Sequence, residues 1–340
     1  MAVLRLHGGG YTGTGGLTAR DYAAMAENLA LMEEYCRSQG REFVFLIAPN
    51  KNSVYPEHMP DLGVKAAETP GRILLRCLAQ KNVTYIDLFQ AFEQQDAPLY
   101  FAHDSHWNSR GAALGADLIN EAFGRESEYF TEDFSRQISH DGDLYAMMYP
   151  AFTDPETDVV FGDALDFSYT TEATRADSIT LGTAGGGTGS LLCYRDSFGN
   201  LLYPYLADSF AEALFSRATR YDLTQPGAFV LIELVERNLR YLLRYTPDMP
   251  APARDLSLPE SSGTAAIDVG RSNLEGMQLL TGQLPETPDE TSAIYVAAGG
   301  MVYQAFCMED NGFAAHIPAD AAPEGIAFYA GGQLRLLAVQ

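Results

Sequence analysis

FVFLIAP, residues Phe43–Pro49, is apolar without interruption up to its proline. A strand with one face in water alternates apolar and polar residues, so an unbroken run reads as a strand covered on both faces, as in a parallel sheet. Just upstream, Tyr22, Met25, Leu29, Met32 and Tyr35/Cys36 keep helical spacing across Thr18–Arg37, and Gly40 follows as a helix stop. Downstream the pattern predicts a second helix around Gly71–Gln80 and a second buried strand at VTYIDL, Val83–Leu88. Helix and strand therefore alternate, which points to a doubly wound α/β domain.

The alternation continues outward from this start. Ser109–Gly124 predicts a helix that Asn108 or Ser109 can cap. Residues 126–188 are acidic, irregular and rich in Gly, Thr and Asp, and read as a long excursion with one or two hairpins. Within it TAGGGTG, Thr183–Gly189, lacks the Gly-Lys-Ser/Thr ending of a phosphate loop and reads as a flexible connection. Core strands resume at Ser190–Asp196, Ala213–Arg220 and Ala228–Leu234. Proline and serine cluster over Pro247–Gly263, the best boundary. Beyond Pro250 short alternating runs such as SAIYVAAG and GIAFYAGG predict a small all-β module. The expected division is a catalytic-type domain over residues 1–250 and a β module over 251–340, the latter positioning a glycan or simply supporting the packing.

A length of 340 residues suits one large domain plus a smaller one. The formal net charge of -23 repels phosphate backbones and anionic lipid, which disfavours a nucleic-acid partner. Cys36, Cys77, Cys193 and Cys307 are widely spaced and form no CxxC pair, so they read as mostly buried thiols rather than zinc ligands or a disulfide framework. No run of about 18 apolar residues offers direct membrane insertion, and the start, MAVLRLHGGGYTG, lacks the apolar core of a signal peptide.

Chemistry concentrates in FAHDSHWN, Phe101–Asn108, which holds the only tryptophan and two of six histidines. In an extended loop the i, i+2 spacing of Asp104 and His106 lets both side chains point one way. Asp104 can then hold His106 in the tautomer that takes a proton from a hydroxyl. RDSFG places Ser197 on a strand-to-helix turn, where backbone amides can face an oxyanion; without a GxSxG signature the local motif by itself reads more readily as a helix cap, and the company of Asp104 and His106 is what favours the nucleophile. A metal shell of His103, Asp104 and His106 would need a distant fourth ligand and no HExxH pattern supplies one, so no metal is expected and His103 is a bystander. Trp107 either lines the site or packs under the loop, fixing the His106 ring. Asn50 and Lys51 follow the first strand at the same sheet edge, as oxyanion or sugar contacts, or as turn residue and ion-pair partner. Glu236 and Arg237 bond backbone or each other.

Four motifs in order, APNKNSVYPEHMP (Ala48–Pro60), HDSHWNSRGA (His103–Ala112), RDSFGNLLYPYLA (Arg195–Ala207) and ELVERNL (Glu233–Leu239), resemble the DHHW family. That family is a branch of the SGNH hydrolase-like proteins related to the alginate O-acetyltransferases. The resemblance covers roughly residues 10 to 245. It implies a flavodoxin-like three-layer α/β fold in which an Asp-x-His motif precedes the nucleophile serine. Residue by residue, Asp104 and His106 match the pair and Ser197 matches the serine of Gly-Asp-Ser. Arg195 stands where the acetyltransferase pattern has glycine, which opens the shape of the turn and its oxyanion contacts to question.

The resemblance implies a serine-dependent O-acetyltransferase acting on a polysaccharide, without a cofactor, outside the cytoplasm. A membrane-bound acetyl-donor partner is compatible with it. An acetyl esterase with the same triad and a noncatalytic carbohydrate-binding protein are the alternatives.

Overall fold

The structure, a computed structural model, describes residues 16–59, 66–131, 134–161 and 165–340. Thr18 and Asp21 exchange hydrogen bonds in a capping box, and this pair starts helix α1 (Ala19–Ser38). The apolar run follows as β1 (Glu42–Ala48). Helix α2 (Pro70–Lys81) is capped by Thr69 and ends at Asn82, whose φ of 56° is left-handed. The second predicted strand shrinks to β2 (Tyr85–Ile86), because the Asp87 side chain accepts the Gln90 amide at 3.0 Å and turns Leu88–Glu93 into a helix.

Next come α3 (Ser109–Ala122), β3 (Phe134–His140), α4 (Asp143–Met148), β4 (Glu156–Phe161), β5 (Phe167–Tyr169), β6 (Thr180–Gly185), β7 (Ser190–Tyr194), α5 (Gly199–Ser209), β8 (Glu212–Ser216) and β9 (Phe229–Val235). Seven of these strands form one sheet in the order β2-β1-β9-β7-β8-β6-β5. The first five are parallel and the last two antiparallel. Alternate residues of β1 serve two cores. Phe43, Phe45 and Ile47 pack with Met25 and Leu29 of α1 and Leu74 of α2, whereas Val44, Leu46 and Ala48 pack with Ala112 of α3 and Leu202 of α5. Helices on both faces are why the run cannot alternate.

The segment 126–188 is more ordered than its composition suggests. β3 and β4 pair as a two-stranded unit, while β6 and β5 extend the main sheet. TAGGGTG is not simply a flexible connection, since Thr183–Gly185 belongs to β6. A Cβ on Gly187 would lie 1.7 Å from the Ser209 carbonyl oxygen, so close backbone approach rather than mobility requires glycine there.

Past Pro250, strands β10 (Ala253–Arg254) through β18 (Gln333–Val339), including β15 (Met301–Met308), form a separate nine-stranded sheet. Helix α1 lies between the two sheets, and one apolar cluster runs from Phe45 through α1 to Phe306 and Phe328. The buried Asn28 amide of α1 donates to the carbonyls of Leu242 and Cys307 at 2.9 and 2.8 Å, and its oxygen accepts the Cys307 amide at 2.9 Å. Cys36, Cys193 and Cys307 are buried free thiols and Cys77 is half-buried. Among the described residues, no helix is long and apolar enough to cross a membrane.

Candidate functional site

β1, β9 and β7 are parallel, so the turns that follow them open on one edge of the sheet. After β7 the chain turns through Arg195, Asp196, Ser197 and Phe198 into α5. Asp196 holds this turn. One of its carboxylate oxygens accepts the Phe198 amide at 2.9 Å, and the other accepts the Val235 amide and the Asn238 side-chain amide, each at 2.8 Å. The Asp196 amide in turn donates to Glu233 at 3.0 Å. The serine turn is thereby fixed to the end of β9, with Ser197 half-buried at its apex.

Glu233 lies fully buried beneath it. Desolvation, with the Asp196 charge adding to it, pushes the Glu233 carboxyl well above its ordinary range. The native state then holds a proton that the unfolded chain releases above roughly pH 4.3. For a raised folded pKa, stability is full below the unfolded value and drains as pH rises. Glu233→Gln keeps an acceptor for the Asp196 amide and removes that loss. Its thermal midpoint is expected to exceed the wild-type midpoint, by more at pH 8 than at pH 5; equal midpoints at pH 8 would mean that Glu233 is ionised in the native state.

The second half of the site is the loop Phe101–Trp107. Trp107 is fully buried, lies against Phe92 and Phe198, and donates its indole N–H to the Phe198 carbonyl at 3.0 Å. One side chain thus joins the histidine loop to the serine turn. On that frame His106 Nε2 lies 2.9 Å from Ser197 Oγ, and His106 Nδ1 lies 2.7 Å from Asp104 Oδ1. An ionised carboxylate only accepts, so Nδ1 carries the hydrogen and Nε2 presents its lone pair to the serine hydroxyl. Burial alone would raise the Asp104 pKa. The hydrogen bonds from the His106 ring and amide, the His140 ring and the Asp143 amide outweigh it, and hold this carboxyl well below the usual range.

His140 and Asp143 escaped the sequence reading, and both come from the 126–188 segment. His140 Nε2 lies 2.9 Å from Asp104 Oδ2, and the Asp143 amide donates to the same oxygen at 3.1 Å. The Asp143 carboxylate accepts the Ser105 amide at 2.7 Å and its hydroxyl at 2.6 Å. Glu156 accepts the amides of Ala102 and His103 at 2.5 and 2.6 Å. A Cβ on Gly142 would meet the His103 carbonyl oxygen at 2.1 Å, which shows how closely this segment seats on the loop. The only signal in the sequence was a scarce histidine inside an acidic stretch.

The remaining expected residues take supporting positions. Lys51 donates to the carbonyls of Ala102 and Asp104 at 2.8 and 3.2 Å, bracing the loop rather than pairing with a carboxylate; burial lowers its pKa. Asn50 is buried and its amide donates to Glu236 at 3.1 Å, while its side-chain oxygen has no partner among the described residues. Arg195, at 4% exposed, is not presented to a substrate: it donates to the Asn200 side chain at 2.7 Å and the Ala176 carbonyl at 2.6 Å. The residue in the glycine position of the turn is thus a buried brace. Trp107 is likewise buried, tied by its indole to the serine turn. Glu236 bonds backbone as expected, accepting the amides of Asn50 and Gly71, whereas Arg237 lies over the Phe198 ring at 5.1 Å. His103 sits beside Asp154 and Tyr145, outside the Ser197 line. Asp104, His106 and Asp143 offer ligand atoms within 4.8 Å of one another, the spacing of a cation site. Both Asp104 oxygens are already saturated by N–H donors, so the cluster works as a hydrogen-bond network.

A serine, histidine and aspartate aligned at the carboxyl edge of a parallel sheet is an arrangement of hydrolase-like α/β proteins. Residues 12–178 match the family model described as SGNH hydrolase-like domain, acetyltransferase AlgX; Asp104 and His106 fall within the match and Ser197 beyond it. A DHHW family protein from Eubacterium siraeum is 19% identical, with 64% of this chain and 85% of that one covered and a TM-score of 0.50. The O-acetyltransferase domain of Pseudomonas putida AlgJ is 19% identical over 64% of this chain and 83% of that chain, with a TM-score of 0.41. Pseudomonas aeruginosa AlgX is 12% identical over 93% and 84%, with a TM-score of 0.40. No curated protein matches in sequence. Over residues 12–178 the chain is thus similar to the SGNH hydrolase-like domain of AlgX-type acetyltransferases, and a DHHW family protein is among its structural neighbours.

Proposed function

We propose that the chain is a serine-dependent O-acetyltransferase acting on a polysaccharide outside the cytoplasm, with Ser197 as nucleophile, His106 as general base and acid, and Asp104 as its orienting anion. The observation that carries this reading is the unbroken line Ser197 Oγ, His106 Nε2, His106 Nδ1, Asp104 Oδ1. Ser197 Oγ forms a bond to the acetyl carbonyl carbon as His106 Nε2 takes its proton. The tetrahedral intermediate then collapses, the donor oxygen leaves, and His106 gives it that proton. In the second half a sugar hydroxyl attacks the acetyl-enzyme, His106 takes the incoming proton, and it passes to Ser197 as the ester bond to the enzyme breaks. The Ser197 amide, which has no protein acceptor among the described residues, is the natural oxyanion donor at the start of α5.

The domain division belongs to the same proposal. Residues 1–250 form a flavodoxin-like three-layer SGNH domain, supported by helices on both faces of β1, and residues 251–340 form a β module that positions the glycan, supported by their separate sheet. A membrane-bound partner would deliver the acetyl group, a reading supported by the similarity to the alginate O-acetyltransferases.

An acetyl esterase is the second reading, favoured by the quarter-exposed His106 side chain, which leaves water a path to an acyl-enzyme. Incubating the protein with p-nitrophenyl acetate, with and without oligosaccharides, and tracing the acetyl group separates the two. Acetylated sugar supports the transferase, and acetate alone under all acceptors supports the esterase. Absence of any acetyl release defeats both.

A further inference from the structure

We propose that His140 is a positioning residue for the reaction, which sets the Asp104 carboxylate for His106 by donating from Nε2 to its second oxygen; the inference rests on the Ser197, His106 and Asp104 reading. Asp104 has two oxygens and receives four N–H groups. Oδ1 takes the His106 ring at 2.7 Å and the His106 amide at 2.8 Å, and Oδ2 takes the His140 ring at 2.9 Å and the Asp143 amide at 3.1 Å. A carboxylate held on one side alone swings about its Cβ–Cγ bond. Donors on both sides fix its plane, and the oxygen facing His106 keeps its direction through the catalytic cycle.

His140 is itself held for this task. Its ring stacks on Phe101 with centroids 3.9 Å apart and planes 9° apart, so the nitrogen that faces Asp104 is set by a residue of the same loop. Its backbone closes β3, immediately before the turn that delivers the Asp143 amide. The paired unit of β3 and β4 therefore enters the catalytic network through two adjacent contacts on one oxygen. The other charged groups around the loop are spoken for: Lys51 and Glu156 bond its backbone, Asp143 bonds Ser105, and Arg237 lies beyond the Phe198 ring. None of them replaces the His140 donor.

The test compares His140→Phe, which keeps a ring over Phe101 and lacks a donor, with His140→Gln, whose amide reaches toward Asp104. His140→Asn, too short to reach, is a second donor-free variant should the first fold poorly. Turnover of p-nitrophenyl acetate is measured alongside the proton NMR signal of the His106 Nδ1–H. The expected result is a kcat about ten- to a hundredfold lower in the donor-free variants, the scale of one hydrogen bond to a charged group. KM is expected to stay within about twofold, the Nδ1–H signal to move, and His140→Gln to recover most of both. A donor-free variant with wild-type kcat and an unmoved signal overturns the inference, as does a His140→Gln variant as impaired as the others. Ser197→Ala run in parallel separates the two levels. If it retains turnover, the catalytic reading falls and the NMR signal alone judges His140; if it is dead while His140→Phe is unaffected, only the His140 role falls.

Discussion

Ser197→Ala is expected to lower turnover of an activated acetyl ester by about 10⁴-fold or more, the scale seen when a serine nucleophile is removed from such a relay. In the proposed mechanism Ser197 Oγ is the atom that bonds the acetyl carbon. Cys193, the nearest thiol in sequence, is fully buried on β7, and desolvation raises its pKa far above neutrality. Stability should barely change, by about 0.5 kcal/mol or less, because the side chain is half-exposed and among the described residues its one hydrogen bond is to His106. Initial rates and thermal melts on the same preparations check both halves. A variant at the wild-type rate removes Ser197 from the mechanism, and one that is inactive but several degrees less stable points to a structural role instead.

The parts of this architecture that were legible in sequence are those where a single physical cause dominates a local window. Burial of β1 on both faces writes an unbroken apolar run, and apolar residues at helical spacing ahead of Gly40 write α1. Asp104 and His106 were legible because two residues of one loop can face one way, and Ser197 because a strand-to-helix turn has a recognisable form. The second strand was overestimated because Asp87, a residue common in many loops, acts there as a helix cap. β6 was missed because it enters the sheet between β8 and β5 and runs into a glycine-rich stretch, where a Cβ on Gly185 would meet the Ala207 carbonyl oxygen at 2.0 Å, so backbone proximity and not side-chain hydrophobicity selects the residue.

The unseen half of the site has a different cause. His140 lies 36 residues from Asp104 and Asp143 lies 39 away, with α3 and an irregular stretch between them. Their meeting depends on how β3 and β4 seat over the loop, a long-range packing result with no local signature. Arg195 shows the converse. Its place beside the serine invited a role at the oxyanion, but burial and its bonds to Asn200 and Ala176 commit the guanidinium to the protein. Sequence proximity to a nucleophile says little about which way a side chain leaves the backbone.

Asp104→Asn tests the network from its centre and is expected to affect both rate and stability. An asparagine offers one acceptor oxygen where the carboxylate offered two, so either His106 or His140 must face an N–H₂ group. If the oxygen turns to His140, His106 flips to the tautomer whose Nε2 carries hydrogen, and Ser197 loses its base. The expected loss in turnover is about 10³- to 10⁴-fold, as for other triads with the wrong tautomer. Removing a buried charge that four N–H groups share should also cost about 2–4 kcal/mol at pH 7. The pH dependence follows from the lowered pKa of Asp104. Because the folded value lies below the unfolded value of roughly 3.9, the carboxylate's contribution is fully present above that pH and drains as pH falls below it. The stability gap between wild type and Asp104→Asn, measured by denaturant titration, should therefore be smaller at pH 3 than at pH 7, with the rest of the contribution lost only at still lower pH. A gap of the same size at both pH values would mean that the native carboxylate gains nothing from its four donors, and the relay would lose its anion.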